Sequence, residues 1–298
     1  MTSIKSIKDR LKNKSIENGK TMQEMLTLYG LERTIYRLSL SDYKEKFTLK
    51  GGIYLYAIYG GDYARATTDA DFHARNISND PEDIKDVFTK IFSIQTEDPL
   101  RYDIDSIDVK SITENKKYHG VNLSTVAYLD RTKISISIDI GFDDVIYPDR
   151  VEMEFPVVLS DESPMIYAYS EVSSIAEKFE AIVSLAYDNS RFKDYYDIYV
   201  ISTTRDFDGE ELAEAVRETF EHRKTALDDI VAFESGFSAD PLRQTRWNAF
   251  VKKKKAMISV SLEEAIVAIK AFLGPVADVV KDGKTFGGKW SHDTGRWI

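Results

Sequence analysis

The chain has no cysteine among its 298 residues, which excludes disulfides and thiolate metal sites and leaves the cytoplasm as its natural compartment. It also lacks any apolar run approaching the span of a bilayer. The N-terminus, MTSIKSIKDRLKNKS, is basic and has no apolar core of signal-peptide length, so a cytoplasmic protein without membrane association is expected. A basic excess is missing too. With 50 acidic against 40 basic residues the formal charge is -10, which argues against unselective coating of nucleic acid; any RNA contact must come from a local patch. Internal repeats and low-complexity linkers are absent.

What is present is the composition of a folded protein, 43% hydrophobic and 12% aromatic, long enough for one large or two ordinary domains. Helical spacing of apolar residues marks 21–41, and FTLKGGIYLYAIYGG reads as an extended lead-in, a double-glycine turn and a helix. RATTDADFHA then enters a short strand, and NDPEDIKDVFTKIF announces a helix with Pro81 in its first turn. YDIDSIDVKSI, GVNLSTVAYL and TKISISIDIGF alternate with period two and predict strands, with VEMEFPVVL as one more. From about residue 165 the pattern turns helical, over 171–189, 191–203, 208–222 and 261–273, and the glycine-rich tail reads as irregular. The expectation is an α+β protein: a mixed-sheet domain over 1–165 and a helical domain over 166–298.

Several places could carry chemistry. On a strand, Asp69 and Asp71 share one face about 7 Å apart, a repulsive arrangement unless a cation or donor sits between them; an exposed edge turn is the bland alternative. In TKISISIDIGF the isoleucines face one way and Ser135, Ser137 and Asp139 the other. If that face abuts the Asp69–Asp71 strand, three carboxylates converge into a site for Mg²⁺, which prefers hard oxygen ligands. Gly51 and Gly52 let backbone amides approach an anion at the start of a helix, so amides would hold a triphosphate and aspartates its metal.

The third place is SSIAEKFEAIVSLAYDNS. Ser174 and Glu177 have capping-box spacing, Lys178 falls within the apolar stripe, and Glu177, Glu180 and Ser184 are assigned to the wet face. Lys178 either snorkels to the rim or meets phosphate oxygens as a cation. In NSRFKDYYDIYV, Asp194 and Asp197 share a side opposite the aromatic stripe, as salt-bridge partners of Arg191 or Lys193 or as a second charged cluster beside Lys178. LRQTRWNAFVKKKK, from 242 to 255, has six cations, Arg243, Arg246 and Lys252 to Lys255, without an acid, and Trp247 and Phe250 are expected to be available for stacking on RNA.

LKGG…RATTDADF, IDIGFDD, SSIAEKFEAIV and NSRFKDYYDIY, in that order, resemble the AbiEii/AbiGii toxin family, the nucleotidyltransferase toxins of type IV toxin–antitoxin and abortive-infection systems related to the MenT toxins. The resemblance implies a DNA polymerase β-type nucleotidyltransferase fold with an appended helical domain. It implies Asp69, Asp71 and Asp139 as metal carboxylates, Gly51 and Gly52 as the glycine turn, Lys178 as an essential lysine and Asp194, with Asp197, as the fourth-motif aspartate. Lys50 and Arg65 join them as candidate nucleotide contacts, Arg65 being equally able to pair with the carboxylates that follow it, and Asp139 would help deprotonate the acceptor hydroxyl. Gly52 stands where the superfamily usually has serine. The implied activity is transfer of a nucleoside monophosphate from an NTP, with GTP or CTP as candidates, to the 3′ end of tRNA, blocking translation and growth as an antiviral defence. A separately encoded DNA-binding antitoxin, acting without a stable complex, is the implied partner. Nucleotidylation of a protein or small molecule, and a silent chain that only binds nucleotide, are the rival readings.

Overall fold

Alternation decides the first half of the chain. Ile134, Ile136, Ile138 and Ile140 are all at most 1% exposed, whereas Ser137 and Asp139 between them are half-buried. In this computed structural model, which describes residues 3–62, 67–112, 120–159, 162–253 and 259–298, the isoleucine strand is central in a seven-stranded mixed sheet. Arg65 lies outside the described residues. The chain divides into two compact units, the first reaching Asp143 and resuming over Val151–Tyr169, the second formed by Asp144–Arg150 and Ser170–Ile298.

The first unit opens with helices α1 (Ile4–Glu17) and α2 (Met22–Leu40), followed by β1 (Phe47–Lys50), α3 (Gly51–Ile58), β2 (Ala70–Ala74) and α4 (Pro81–Phe92). Then come β3 (Leu100–Ile112), β4 (Gly120–Leu129), β5 (Thr132–Phe142), β6 (Val151–Glu154) and β7 (Met165–Ala168), in the sheet order β3-β4-β5-β2-β1-β7-β6. β2 runs parallel to β5 and β1 parallel to β7; β1–β2, β3–β4, β4–β5 and β6–β7 are antiparallel.

Local chemistry explains the helices. Thr21 and Glu24 form a reciprocal capping box at the start of α2, and Asp80 caps α4 with Pro81 in its first turn. Gly30 brings α2 onto the isoleucine face: a β-carbon there would sit 2.7 Å from Ile136 Cδ1 and 2.9 Å from Ile134 Cγ2. A bidentate ion pair from Arg37 to Asp98, with both groups buried, ties α2 to the chain entering β3. With one face of the sheet committed to α2 and α4, the polar residues of β2 and β5 are left on the other.

The second unit contains α5 (Glu171–Leu185), α6 (Phe192–Ser202), β8 (Phe207–Asp208), α7 (Gly209–Arg223), α8 (Pro241–Lys253), α9 (Leu262–Lys281), β9 (Lys289–Ser291) and β10 (Arg296–Trp297). Three expectations are corrected here. α5 is capped by Ser170, which accepts from Ser173 N, and so begins a turn before the Ser174 cap read from the sequence. Glu180 is 3% exposed, not wet: Arg223 of α7 binds Glu180, Glu177 and Asp144 together, all within 3.0 Å. The tail is ordered into a small sheet, β10-β9-β8, because Trp290 is buried against Phe272 and donates to Ser202 O at 2.7 Å. α9 continues through Pro275 to Lys281, its apolar stripe extended by buried Val276 and Ala277. Among the described residues no helix is long and apolar enough to cross a membrane.

Candidate active site

β1 ends in Lys50 and the chain turns into α3 without an intervening loop. Two constraints fall on Gly51. Its φ is +69°, which penalises any side chain, and a β-carbon there would overlap the Asp71 carboxylate, coming 2.7 Å from Asp71 Cβ. Lys50, the N-cap residue of α3, supplies no side-chain acceptor to the first amides of the helix. Those amides and the helix dipole form an anion-attracting end beside a carboxylate.

Strand register aligns the polar side chains. Lys50 pairs with Asp71 across β1–β2, Asp71 with Asp139 across the parallel β2–β5 pair, and Asp139 with Asn122 across β5–β4. A single row therefore crosses four strands, reading Lys, Asp, Asp, Asn. Asp69 sits at the entrance to β2, where Thr67 Oγ1 donates to its carbonyl at 3.1 Å and to its Oδ1 at 3.4 Å. Asp69, Asp71 and Asp139 each offer one carboxylate oxygen to a group whose members lie within 4.8 Å of one another, all half-buried. Three hard oxygens, partly sheltered and mutually repulsive, suit a divalent cation of the magnesium type, whose ligands sit at about 2.1 Å. These are the three residues singled out from the sequence.

Around the cluster are groups the sequence did not flag. Asn122 Nδ2 donates to Asp139 Oδ1 at 2.6 Å and to Ser137 Oγ at 3.2 Å. Tyr169, fully buried, lies beneath the Lys50 ammonium, 5.4 Å from ring centroid to Nζ, and beside His73, 6.4 Å between ring centroids. Asn122 could have been found by asking which residue opposes Asp139 in a β4–β5 hairpin whose turn is at Asp130–Arg131; Tyr169 depends on the β1–β7 pairing and had no local signal.

In the second unit, Lys178 is 8% exposed and donates to Asp197 Oδ2 at 2.8 Å. Asp194, 1% exposed, lies 3.5 Å from Lys178 Nζ and 2.8 Å from Arg191 Nε, ion-pair contacts without the alignment of hydrogen bonds. α5 and α6 thus bring Lys178, Asp194 and Asp197 into one buried cluster, so Lys178 does not snorkel. Arg191 occupies the i, i+3 position expected of a helix salt bridge.

The proposed stacking surface on α8 is corrected. Trp247 is fully buried, packed against Phe192 and Phe250, with its Nε1 donating to Val260 O at 2.8 Å. Phe250 packs on Tyr196, and Arg243 is occupied by Tyr187 O at 2.6 Å and by the Phe237 ring at 4.3 Å. Trp247 points inward because the helix needs an apolar anchor, and its i, i+3 neighbour Phe250 shares that anchor. Lys254 and Lys255 lie outside the described residues.

The sequence matches, over residues 33–265, the family described as nucleotidyl transferase AbiEii toxin, type IV toxin–antitoxin system. No curated protein sequence matches it. Among solved structures, JHP933 from Helicobacter pylori is 14% identical, with a TM-score of 0.45 over 85% of this chain and 90% of that one. A second Helicobacter pylori structure, described as that of a candidate nucleotidyltransferase, gives the same identity and score over 85% of this chain and 93% of its own.

Proposed function

The chain belongs to the AbiEii nucleotidyltransferase toxins of type IV toxin–antitoxin systems, and from that premise and the Asp69–Asp71–Asp139 cluster we propose that it transfers a nucleoside monophosphate to the 3′ end of tRNA. The observation that carries the site assignment is the in-register row of Asp71 and Asp139 with Asp69 beside it, all within 4.8 Å. Asp69, Asp71 and Asp139 are the residues to hold Mg²⁺; bound there, the ion supplies charge neutralisation at the reacting phosphate. The amides of Gly51 and Gly52, with the dipole of α3, bind phosphate oxygens, and Lys50 adds a cation at the same strand end. Asp139 is also placed to accept the proton of the attacking hydroxyl, and Asn122 keeps its carboxylate oriented for that task. Lys178, held by Asp197 and Asp194, is the cation assigned to substrate phosphate; an ammonium with three donors can serve a carboxylate and a phosphate together.

The tRNA acceptor is what the sequence resemblance implies, and membership of a type IV toxin–antitoxin family carries the expectation of a separately encoded antitoxin. An exposed Arg246 and Lys252 on α8 are consistent with a polyanionic acceptor, though without the tryptophan platform. The test is incubation with Mg²⁺ and each α-labelled NTP in turn, GTP and CTP first, in the presence of purified tRNA or of total protein. Label should enter tRNA and be absent with Asp71→Asn. Label confined to the protein pool would overturn the tRNA reading in favour of protein nucleotidylation.

A further inference from the structure

The basic N-terminal stretch is not used by the site described above, and α1, which carries it, precedes the matched family region, which begins at residue 33. Between Ser3 and Lys20 there are six basic and two acidic residues, a net +4 within a chain of net charge -10. On the folded helix three of the lysines fall together, with Asp9 one turn along from Lys5 at their border. Ile7, Leu11 and Ser15 form its buried stripe, packed toward α2. Lys5, Lys8 and Lys12, at i, i+3 and i+7, fall within about 60° of one another along one flank, rising 4.5 to 6 Å per step. Lys5 and Lys12 are exposed and meet no carboxylate among the described residues; Lys8 reaches Asp130 at 3.6 Å in a pair left open to solvent.

We propose that this lysine flank of α1 is a docking surface for the phosphate backbone of the RNA acceptor. The inference rests on the reading of RNA as substrate and adds where the first unit grips it. Charge complementarity selects a polyanion, and the fold selects RNA over a lipid surface. A membrane-bound basic helix inserts its apolar face, but that of α1 is already spent on α2. Three regularly spaced ammonium groups on a rigid helix suit a repeating phosphate backbone, and they read no sequence.

The experiment compares the full-length protein with Lys5→Glu/Lys12→Glu and with Lys5→Arg/Lys12→Arg. The measurements are the KM for tRNA, the KM for NTP and the salt dependence of fluorescent tRNA binding. In the Glu variant the tRNA KM should rise about tenfold with the NTP KM unchanged, and the plot of log affinity against log salt should flatten by about 1.4 to 1.8, the share of two phosphate contacts. The Arg variant should match the parent. An unchanged tRNA KM in the Glu variant overturns the surface while leaving the acceptor reading in place; loss of binding to phosphatidylglycerol vesicles with tRNA kinetics intact overturns it in favour of a membrane role. If the parent protein neither binds nor labels tRNA, the acceptor reading itself falls and this surface with it.

Discussion

Asn122 and Asp139 face each other across β4 and β5, and the amide of Asn122 donates to Asp139 Oδ1 at 2.6 Å. This contact orients the carboxylate that Asp139 contributes to the cluster with Asp69 and Asp71. Asn122→Leu keeps the volume and removes the donor. Because a hydrogen bond to a charged group contributes on the order of 1.5 to 3 kcal/mol, the Mg²⁺ concentration giving half-maximal transfer should rise by about ten- to a hundredfold. Direct Mn²⁺ titration by electron paramagnetic resonance should weaken in parallel, with the NTP KM at saturating metal little changed.

Gly51→Ala should remove activity through geometry alone. The substitution imposes a left-handed conformation on a residue with a β-carbon, costing about 1 to 2 kcal/mol, and pushes the Asp71 carboxylate out of register with Asp139. A thermal melt should show a modest loss of stability while transfer falls by orders of magnitude. Transfer near the parental rate in a folded Gly51→Ala protein would contradict the placement of Asp71.

Lys178→Met should cost stability as well as transfer. Asp197 is fully buried at 2.8 Å from the ammonium, and breaking this buried pair by removing one partner should destabilise the fold by about 3 to 5 kcal/mol in urea titration. The double variant Lys178→Met/Asp197→Leu should recover most of that stability and none of the transfer. Recovery of both would make the pair structural only.

His292 and Asp206 bond at 2.8 Å where the C-terminal sheet is tied to the loop after α6. The hydrogen bond to Asp206 holds the His292 imidazole above its ordinary 6.5, and bonds from His292 hold Asp206 below its ordinary 3.8. A raised histidine contributes fully below 6.5 and loses its contribution as pH rises through its folded value. A depressed aspartate contributes fully above 3.8 and loses it as pH falls through its own. The contact is therefore complete between those limits. NMR titration should find the His292 midpoint above 6.5, and Asp206→Asn should lower it.

Much of the first unit is legible in the sequence because period two is a strong signal. β4 and β5 emerge with their ends intact, and the small polar face of β5 singles out Asp139 before any partner is known. Local pattern fails where two local patterns compete or where a distant residue decides. Ser170 and Ser174 both stand at possible starts of α5; burial of Val172 and Ser173 selects the earlier one. Glu180 looks solvent-facing until Arg223, on another helix, reaches it. Trp247 beside a lysine run suggests a nucleobase platform, and only the packing of Phe192 and Tyr196 reveals it as an interior anchor.

The parallel pairing of β2 with β5 has a consequence for the order in which the acid cluster can assemble. Asp71 and Asp139 become neighbours only after the intervening α4, β3 and β4 have been synthesised and stacked, since parallel strands cannot be joined by a tight hairpin. A nascent chain that has not yet emerged from the ribosome through Phe142 carries its acids apart. A slip of one residue would turn Asp139 toward the isoleucine interior. A chain stopped short of β5 therefore lacks the paired row of Asp71 and Asp139 on which the metal site is built.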